Sequence, residues 1–287
     1  MISNNGFNRT RNAPKGVTGF FKKHKTLVFT VIAFAVTMLL WFTVWQLAAI
    51  GVGVSFILPS PIDAFKNFFI LLTKKEFYSA VAGSVIRVLT GYLLGILIGA
   101  LAAMLSFFIP PLRSFFAPLI KVAKATPVAS FILICALWMT SFTTPVFIAL
   151  LMVFPIVYEN TLTGLKETDS SLIEAAEVYR FSPIKKLALL YAPSAMPYFG
   201  SACVTTLGLA WKSCISAEVL IVTAGSVGYY VYTSKLYFET EMLFAWTVAI
   251  VLLSVLLEYA IKLLAYLVIR ATGRRFAYAK KHNGENV

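Results

Sequence analysis

Charge is what this sequence has least of. Only 13% of its 287 residues are Asp, Glu, Lys or Arg, whereas a water-soluble domain carries about 25%. With 59% hydrophobic residues beside that deficit, a soluble enzyme is excluded. Histidine is nearly absent: His24 and His282 both lie in the polar tails, so no histidine-based active site sits within the apolar runs. The three cysteines, Cys135, Cys203 and Cys214, are odd in number and lack a CxxC spacing. That excludes a disulfide framework or a cysteine zinc site and reads them as small buried apolar residues. With 16 glycines and 12 prolines, the chain is neither collagen-like nor low-complexity. It also lacks the G-x-x-x-x-G-K-[ST] loop that cradles nucleotide phosphates.

What is present is a series of long apolar runs, each to be judged against the roughly 20 residues that cross a bilayer. Leu27 to Ala49 is 23 residues without a charge, longer than the apolar core of a secretory signal, and reads as an uncleaved span. After Leu58-Pro59-Ser60-Pro61 a surface helix is expected over Asp63 to Leu72. A second span covers Ser79 to Phe108 and is stopped by Pro110-Pro111; Gly91, Gly95 and Gly99 put a smooth stripe on it for close helix packing. Between Lys124 and Glu159 lie 34 uncharged residues, too many for one crossing. The polar cluster from Thr140 to Pro145 divides them into a third span, Leu112 to Met139, bent at Pro127, and a fourth, Pro145 to Leu165. Ser194 to Thr223 and Met242 to Ile269 complete an all-α, polytopic membrane protein of about six helices.

The net charge of +13 would suggest nucleic acid if it were clustered with aromatics in one groove, but it is spread over the span ends. Placing both termini and the 109–124 and 159–190 loops in the cytoplasm collects 18 of the 25 Lys and Arg there. Four remain in outer loops (Lys66, Lys74, Lys75, Lys235) and three within spans. This is the positive-inside bias of a multi-pass protein of the cell membrane, with no role for nucleic acid. The chain then divides into a basic segment 1–26, a membrane domain 27–270 and a basic tail 271–287.

The internal loop from Lys166 to Pro193 is patterned as structure. Ser171 and Glu174 have the S-x-x-E spacing of a capping box, predicting a helix from Leu172 that shows Leu172, Ala175, Ala176 and Tyr179 along one side. It should end near Phe181, because Ser182-Pro183 supplies a second N-cap and an N1 proline. A second short helix then runs to Pro193.

Glu174-Ala175-Ala176, a turn, and then Ala192-Pro193-Ser194-Ala195-Met196-Pro197 resemble the EAA loop of binding-protein-dependent ABC importer permeases. Four further segments resemble the nitrate/sulfonate/taurine branch of that family. They are Leu58 to Pro61, Ser84 to Gly91, Tyr158 to Thr161, and Ala210-Trp211 through Ala217-Glu218. The resemblance covers residues 57–270. It implies that the loop 166–193 is a coupling helix seated in a separate ATPase subunit, with Ser171, Glu174, Ala175, Ala176, Tyr179 and Arg180 at the contact. It also implies a second permease chain (a homodimer), an extracytoplasmic solute-binding protein, and ATP and magnesium held by the partner, with no cofactor, metal or catalytic residue in this chain. The branch transports small anions such as sulfonates, taurine or nitrate. The family's loop usually has glycine six residues after the glutamate, where this chain has Arg180. That arginine should either bear about 1 kcal/mol of left-handed strain or make another turn. The outer segments Trp138-Met139-Thr140 and Ser226-Val227-Gly228 also depart from the family pattern.

Ionisable residues inside spans are costly and point to function. Glu258 and Lys262 are four apart and can pair on one helix face. Lys212, between Trp211 and Ser213, is a candidate to attract an anion in the pathway, or else pairs with an acid on another helix or snorkels. Glu218 could meet Arg87 or the binding protein. Arg87, Trp211, Lys212, Ser213, Ser216 and Glu218 are therefore the candidate pathway residues. Trp138, Trp211 and Trp246 read as interfacial belt rather than as a substrate cage. Two alternatives stand beside the importer permease: a stand-alone ion-coupled secondary transporter, which usually shows repeated halves not seen here, and an ABC permease for a thiamine-precursor-like or other small organic solute.

Overall fold

The structure, a computed structural model, describes residues 17–283, with side chains described for residues 29–263 except 31. The basic residues expected in segments 1–26 and 271–287 lie outside the described side chains. Contacts divide the chain into two units, Met1–Pro61 and Ile62–Val287.

In the first unit, α1 (Val17–Val52) contains the first expected span. It ends at Gly53, whose φ of 69° is the left-handed conformation that glycine reaches without a Cβ clash. Farther on, the chain turns back so that Trp45 Nε1 donates to the Pro59 carbonyl at 3.1 Å.

The second unit opens with the short amphipathic α2 (Pro61–Leu71) and then α3 (Lys75–Phe108). Ile109 separates α3 from α4 (Pro110–Ala125), so the two prolines begin the next helix as well as ending the last. Around Pro127 the structure departs from expectation. Instead of one bent span, α4 and α5 (Val128–Cys135) are separate helices at 106° to one another. Proline forces the residue before it out of the helical region, and Thr126 accordingly has ψ 133°. α6 (Thr143–Lys166) begins within the polar cluster, two residues before the expected Pro145. Among the described residues, five helices are long and apolar enough to cross a membrane, or six if the broken pair is one crossing.

Beyond the loop described below come α9 (Ala192–Leu220), α10 (Val227–Leu236) and α11 (Thr240–Asn283). No strand occurs among the described residues.

α3, α6 and α9 form the centre. The glycine stripe allows α3 to lie against α6: a Cβ at Gly95 would come within 2.8 Å of Val153 Cβ, and one at Gly99 within 3.0 Å of the Phe154 carbonyl. Gly91 is tighter still against Val146 and Ala149. On the next face, Tyr92 Oη donates to the Cys203 carbonyl at 2.7 Å, tying α3 to α9. Close small-residue packing of this kind replaces the hydrophobic drive that lipid cannot supply. Leu93, Leu97, Leu101 and Leu105 point away from the bundle and are exposed, as a lipid-facing stripe should be.

Two of the three tryptophans weighed for an interfacial belt are core residues. Trp211 is fully buried, its Nε1 donating to the Ile250 carbonyl at 3.2 Å. Trp246 stacks on Tyr230 with ring centroids 5.0 Å apart. Of these three, Trp138 alone is exposed. Trp211 and Trp246 find buried acceptor and ring partners that a sequence pattern does not reveal.

Candidate functional site

The loop between α6 and α9 is a folded hairpin of two short helices. α7 (Ser170–Val178) begins two residues earlier than the capping-box spacing predicts. Its N-cap is Asp169, whose Oδ1 accepts from both the N–H and the hydroxyl of Ser171 at 2.8 Å. A carboxylate is the stronger acceptor and suits the positive end of a helix, so Ser171 becomes a donor instead of the cap. These two hydrogen bonds, the one from the hydroxyl first, hold the Asp169 carboxyl below its usual pKa.

α7 closes in a Schellman turn, in which the Phe181 N–H reaches the Ala176 carbonyl and the Arg180 N–H reaches that of Glu177, each at 2.9 Å. That motif requires a left-handed residue at the position of Arg180, and Arg180 adopts it, with φ 53°. The turn that glycine usually makes is therefore made by arginine, and the helix ends at Val178, earlier than Phe181.

The Ser182 cap and Pro183 start are as expected. Ser182 Oγ accepts from the Lys185 N–H, opening α8 (Pro183–Lys186). Lys186 Nζ and Glu177 Oε1, 3.2 Å apart, join the two arms. The second helix does not stop at Pro193. A π turn over Leu187–Tyr191, closed by Ala192 N–H donating to the Leu187 carbonyl, runs straight into α9. Pro193 has no N–H for the carbonyl four residues back and crowds it; the wider turn just ahead of it relieves that crowding.

Of the six loop residues singled out, Ser171, Glu174, Ala175, Tyr179 and Arg180 are exposed, whereas Ala176 is buried at 3%. The four-residue stripe is thus split, with Leu172, Ala175 and Tyr179 outward and Ala176 inward. Two apolar residues not anticipated, Val178 and Ile184, are also exposed.

The six expected pathway residues separate into two groups. Arg87, Trp211, Ser213 and Glu218 are buried inside the bundle. Glu218 is the centre of a polar node: Oε1 accepts from Arg87 Nε at 2.8 Å, and Oε2 accepts from Ser84 Oγ at 2.7 Å and the Gly228 N–H at 3.2 Å. Ser84 Oγ in turn accepts from the Val227 N–H at 3.1 Å. The node clamps the start of α10 onto α3 and α9. It also explains Gly228, since a Cβ there would collide with Glu218 Cβ. The Arg87 guanidinium lies 5.5 Å from the Phe142 ring centroid. Ser84 was not anticipated, although its position three residues before Arg87 places both on one helix face.

Lys212 and Ser216 face outward on α9. They line an open, largely apolar cleft of about 490 Å³ between α5 and α9, with Val128, Ile132 and Val219. Lys212 makes no ion pair among the described residues, so the alternative of an acidic partner on another helix is not seen among them. Glu258 and Lys262 do pair, at 3.8 Å on α11. No group of His, Cys, Asp or Glu among the described residues has a metal-ligating arrangement.

Comparison with known proteins bears on both regions. Residues 95–274 match the family model described as binding-protein-dependent transport system inner membrane component. A relative named for aliphatic sulfonates transport, the permease protein SsuC of Escherichia coli (strain K12), is 32% identical over 79% of this chain and 87% of its own length. SsuC of Bacillus subtilis (strain 168) is 26% identical over 77% and 80%. Among solved structures, an amino acid ABC transporter chain superposes with a TM-score of 0.56 at 16% identity, covering 68% of this chain and 94% of that one. That likeness concerns the fold.

Proposed function

The chain belongs to the family of binding-protein-dependent transport system inner membrane components, and from that premise we propose that its 166–193 hairpin receives the stroke of a separate ATP-hydrolysing subunit. The chain is the transmembrane permease subunit of an ABC importer. The observation that carries the coupling role is the hairpin's apolar surface. Val178, Tyr179 and Ile184 are 80%, 76% and 79% exposed on a compact, doubly capped hairpin. Apolar side chains held outward by a rigid scaffold fit a protein groove. Exposed Glu174, Arg180 and Ser171 add polar contacts at the rim.

In this reading the hairpin, both termini and the 109–124 loop are cytoplasmic, in keeping with the distribution of Lys and Arg. Two permease chains line one pathway, an extracytoplasmic binding protein delivers the solute, and ATP and magnesium stay in the partner ATPase. No bond is made or broken in this chain. The solute is a small anion of the sulfonate type, as the names of the SsuC relatives suggest. Lys212 supports it: a cation without an ion-pair partner among the described residues, in an apolar cleft, attracts a sulfonate more strongly than it would in water.

The test is co-purification in mild detergent with the ATPase, then uptake of a labelled alkanesulfonate in proteoliposomes supplied with binding protein and ATP. The unaltered chain should retain the ATPase in stoichiometric amount. Val178→Asp with Ile184→Asp should lose it while still inserting in the membrane. ATPase retention by that variant would remove the hairpin from the interface. Uptake driven by an ion gradient without ATP would overturn the whole reading.

A further inference from the structure

Between α4 and α6 lies an open cleft of about 370 Å³ that neither the hairpin nor the Lys212 face uses. α4 contributes Arg113 and Lys121, and α6 contributes Tyr158, Glu159 and Lys166. Three cations thus share the cleft with one carboxylate, and that carboxylate is already engaged: Glu159 Oε2 accepts from Lys124 Nζ at 2.7 Å. Arg113, Lys121 and Lys166 make no ion pair among the described residues.

The second observation is Tyr158. Its ring packs beside Phe116 and Phe154, with centroids 5.7 and 6.1 Å away. The residue is only 3% exposed, yet its hydroxyl has no hydrogen-bond partner. A hydroxyl that loses water and gains nothing is costly, and Tyr158 is one of the residues that line the basic cleft.

We propose that the cleft binds a phosphate-type oxyanion, held by the cations of Arg113, Lys121 and Lys166 and by a hydrogen bond donated from Tyr158 Oη. The guanidinium is suited to grip two oxygens of such a group at once. Two sources share this chemistry: the headgroup of an anionic phospholipid, and a soluble phosphate-bearing anion. Tyr158 lies eight residues before the end of α6, about 12 Å along the axis, so the cleft spans headgroup depth. Basic pockets between membrane helices on the cytoplasmic side take anionic headgroups. Assigning this end to that side rests on the orientation proposed above; the charge of the cleft does not.

Native mass spectrometry of the full chain, released from nanodiscs containing equal phosphatidylglycerol and phosphatidylcholine, reads the lipid source. Thermal unfolding in detergent with inorganic phosphate reads the soluble one. A juxtamembrane cation contributes about fivefold in affinity for an anionic surface, so Arg113→Gln with Lys166→Gln should lower phosphatidylglycerol retention roughly 25-fold. Tyr158→Phe keeps the ring packing and should lower it roughly tenfold. If the source is soluble, phosphate raises the melting temperature of the unaltered chain but not of the double variant, and the two lipids are retained alike. A chain that distinguishes neither lipid and ignores phosphate overturns the site. So does a Lys66→Gln, Lys235→Gln variant, of equal charge and away from the cleft, that loses as much as the double variant.

Discussion

Arg87 on α3 and Glu218 on α9 meet 2.8 Å apart with side chains 6% and 0% exposed, a buried ion pair linking two helices 131 residues apart in sequence. Removing one member leaves the other charge without compensation, at a cost of about 3–5 kcal/mol. Glu218→Gln and Arg87→Met should each lower the melting temperature in detergent. The double variant Arg87→Met, Glu218→Met should be less destabilised than the two single effects added together. Strict additivity in fluorescence-detected unfolding would show that the pair is not coupled.

The glycine stripe predicts a graded response. Gly91→Ala drives a methyl into the Val146 carbonyl and against Ala149 Cβ at 2.7 Å, and overpacking of this kind costs about 1–3 kcal/mol. Gly200→Ala meets nothing within 4 Å and should gain about 0.5–1 kcal/mol from helix propensity. The fraction surviving size-exclusion after heating separates them; equal survival would mean that α3 and α6 are not in close contact.

Arg180 holds φ 53° at the turn of the hairpin, a conformation that costs an L-residue about 1–2 kcal/mol. Arg180→Gly should slow amide hydrogen exchange in α7 severalfold, whereas Arg180→Val should hasten it. Exchange that is the same in both variants would contradict the Schellman geometry.

Asp169 sets a pH dependence of known sign. Its carboxyl is held below the usual value by the Ser171 hydroxyl and N–H, so its contribution is complete above the unfolded pKa of about 3.9. That contribution is lost as pH falls through the lower folded value. Protection of the first turn of α7, corrected for intrinsic exchange, should decline in that acidic range and stay flat above about pH 5. Asp169→Asn keeps an acceptor and should abolish the decline. A decline centred near pH 6 would belong to another group.

Much of this was legible in the sequence because it is local. All the spans but the third follow from run length, the start of α8 from Ser182-Pro183, and the close approach of α3 from three glycines at four-residue spacing. What was not legible depended on competition or on distance. Asp169 and Ser171 are both good caps, and only geometry decides that the carboxylate accepts while the hydroxyl donates. Pro127 announces a bend, but 106° depends on what α5 packs against. Lys212 and Glu218 are six apart on one helix. Their roughly 120° difference in direction was readable, but which of them would turn inward was not. Glu218 is satisfied inside because Ser84, Arg87 and Gly228 come from elsewhere in the chain. Among the described residues nothing comparable reaches Lys212.

The π turn at Leu187–Tyr191 makes α8 and α9 one continuous rod from Pro183 to Leu220, 38 residues long, or about 57 Å. The hairpin sits at one end of this rod and the Glu218 clamp on α10 at the other. Pivoted at mid-length, the rod would be a seesaw, and a tilt of about 10° would carry its two ends about 5 Å in opposite directions. Under the coupling role proposed above, closing at the hairpin end and opening at the far end would be a single rotation with no relay between them, and the tightness of the Arg87–Glu218 lock would set how much torque is needed before the far end yields.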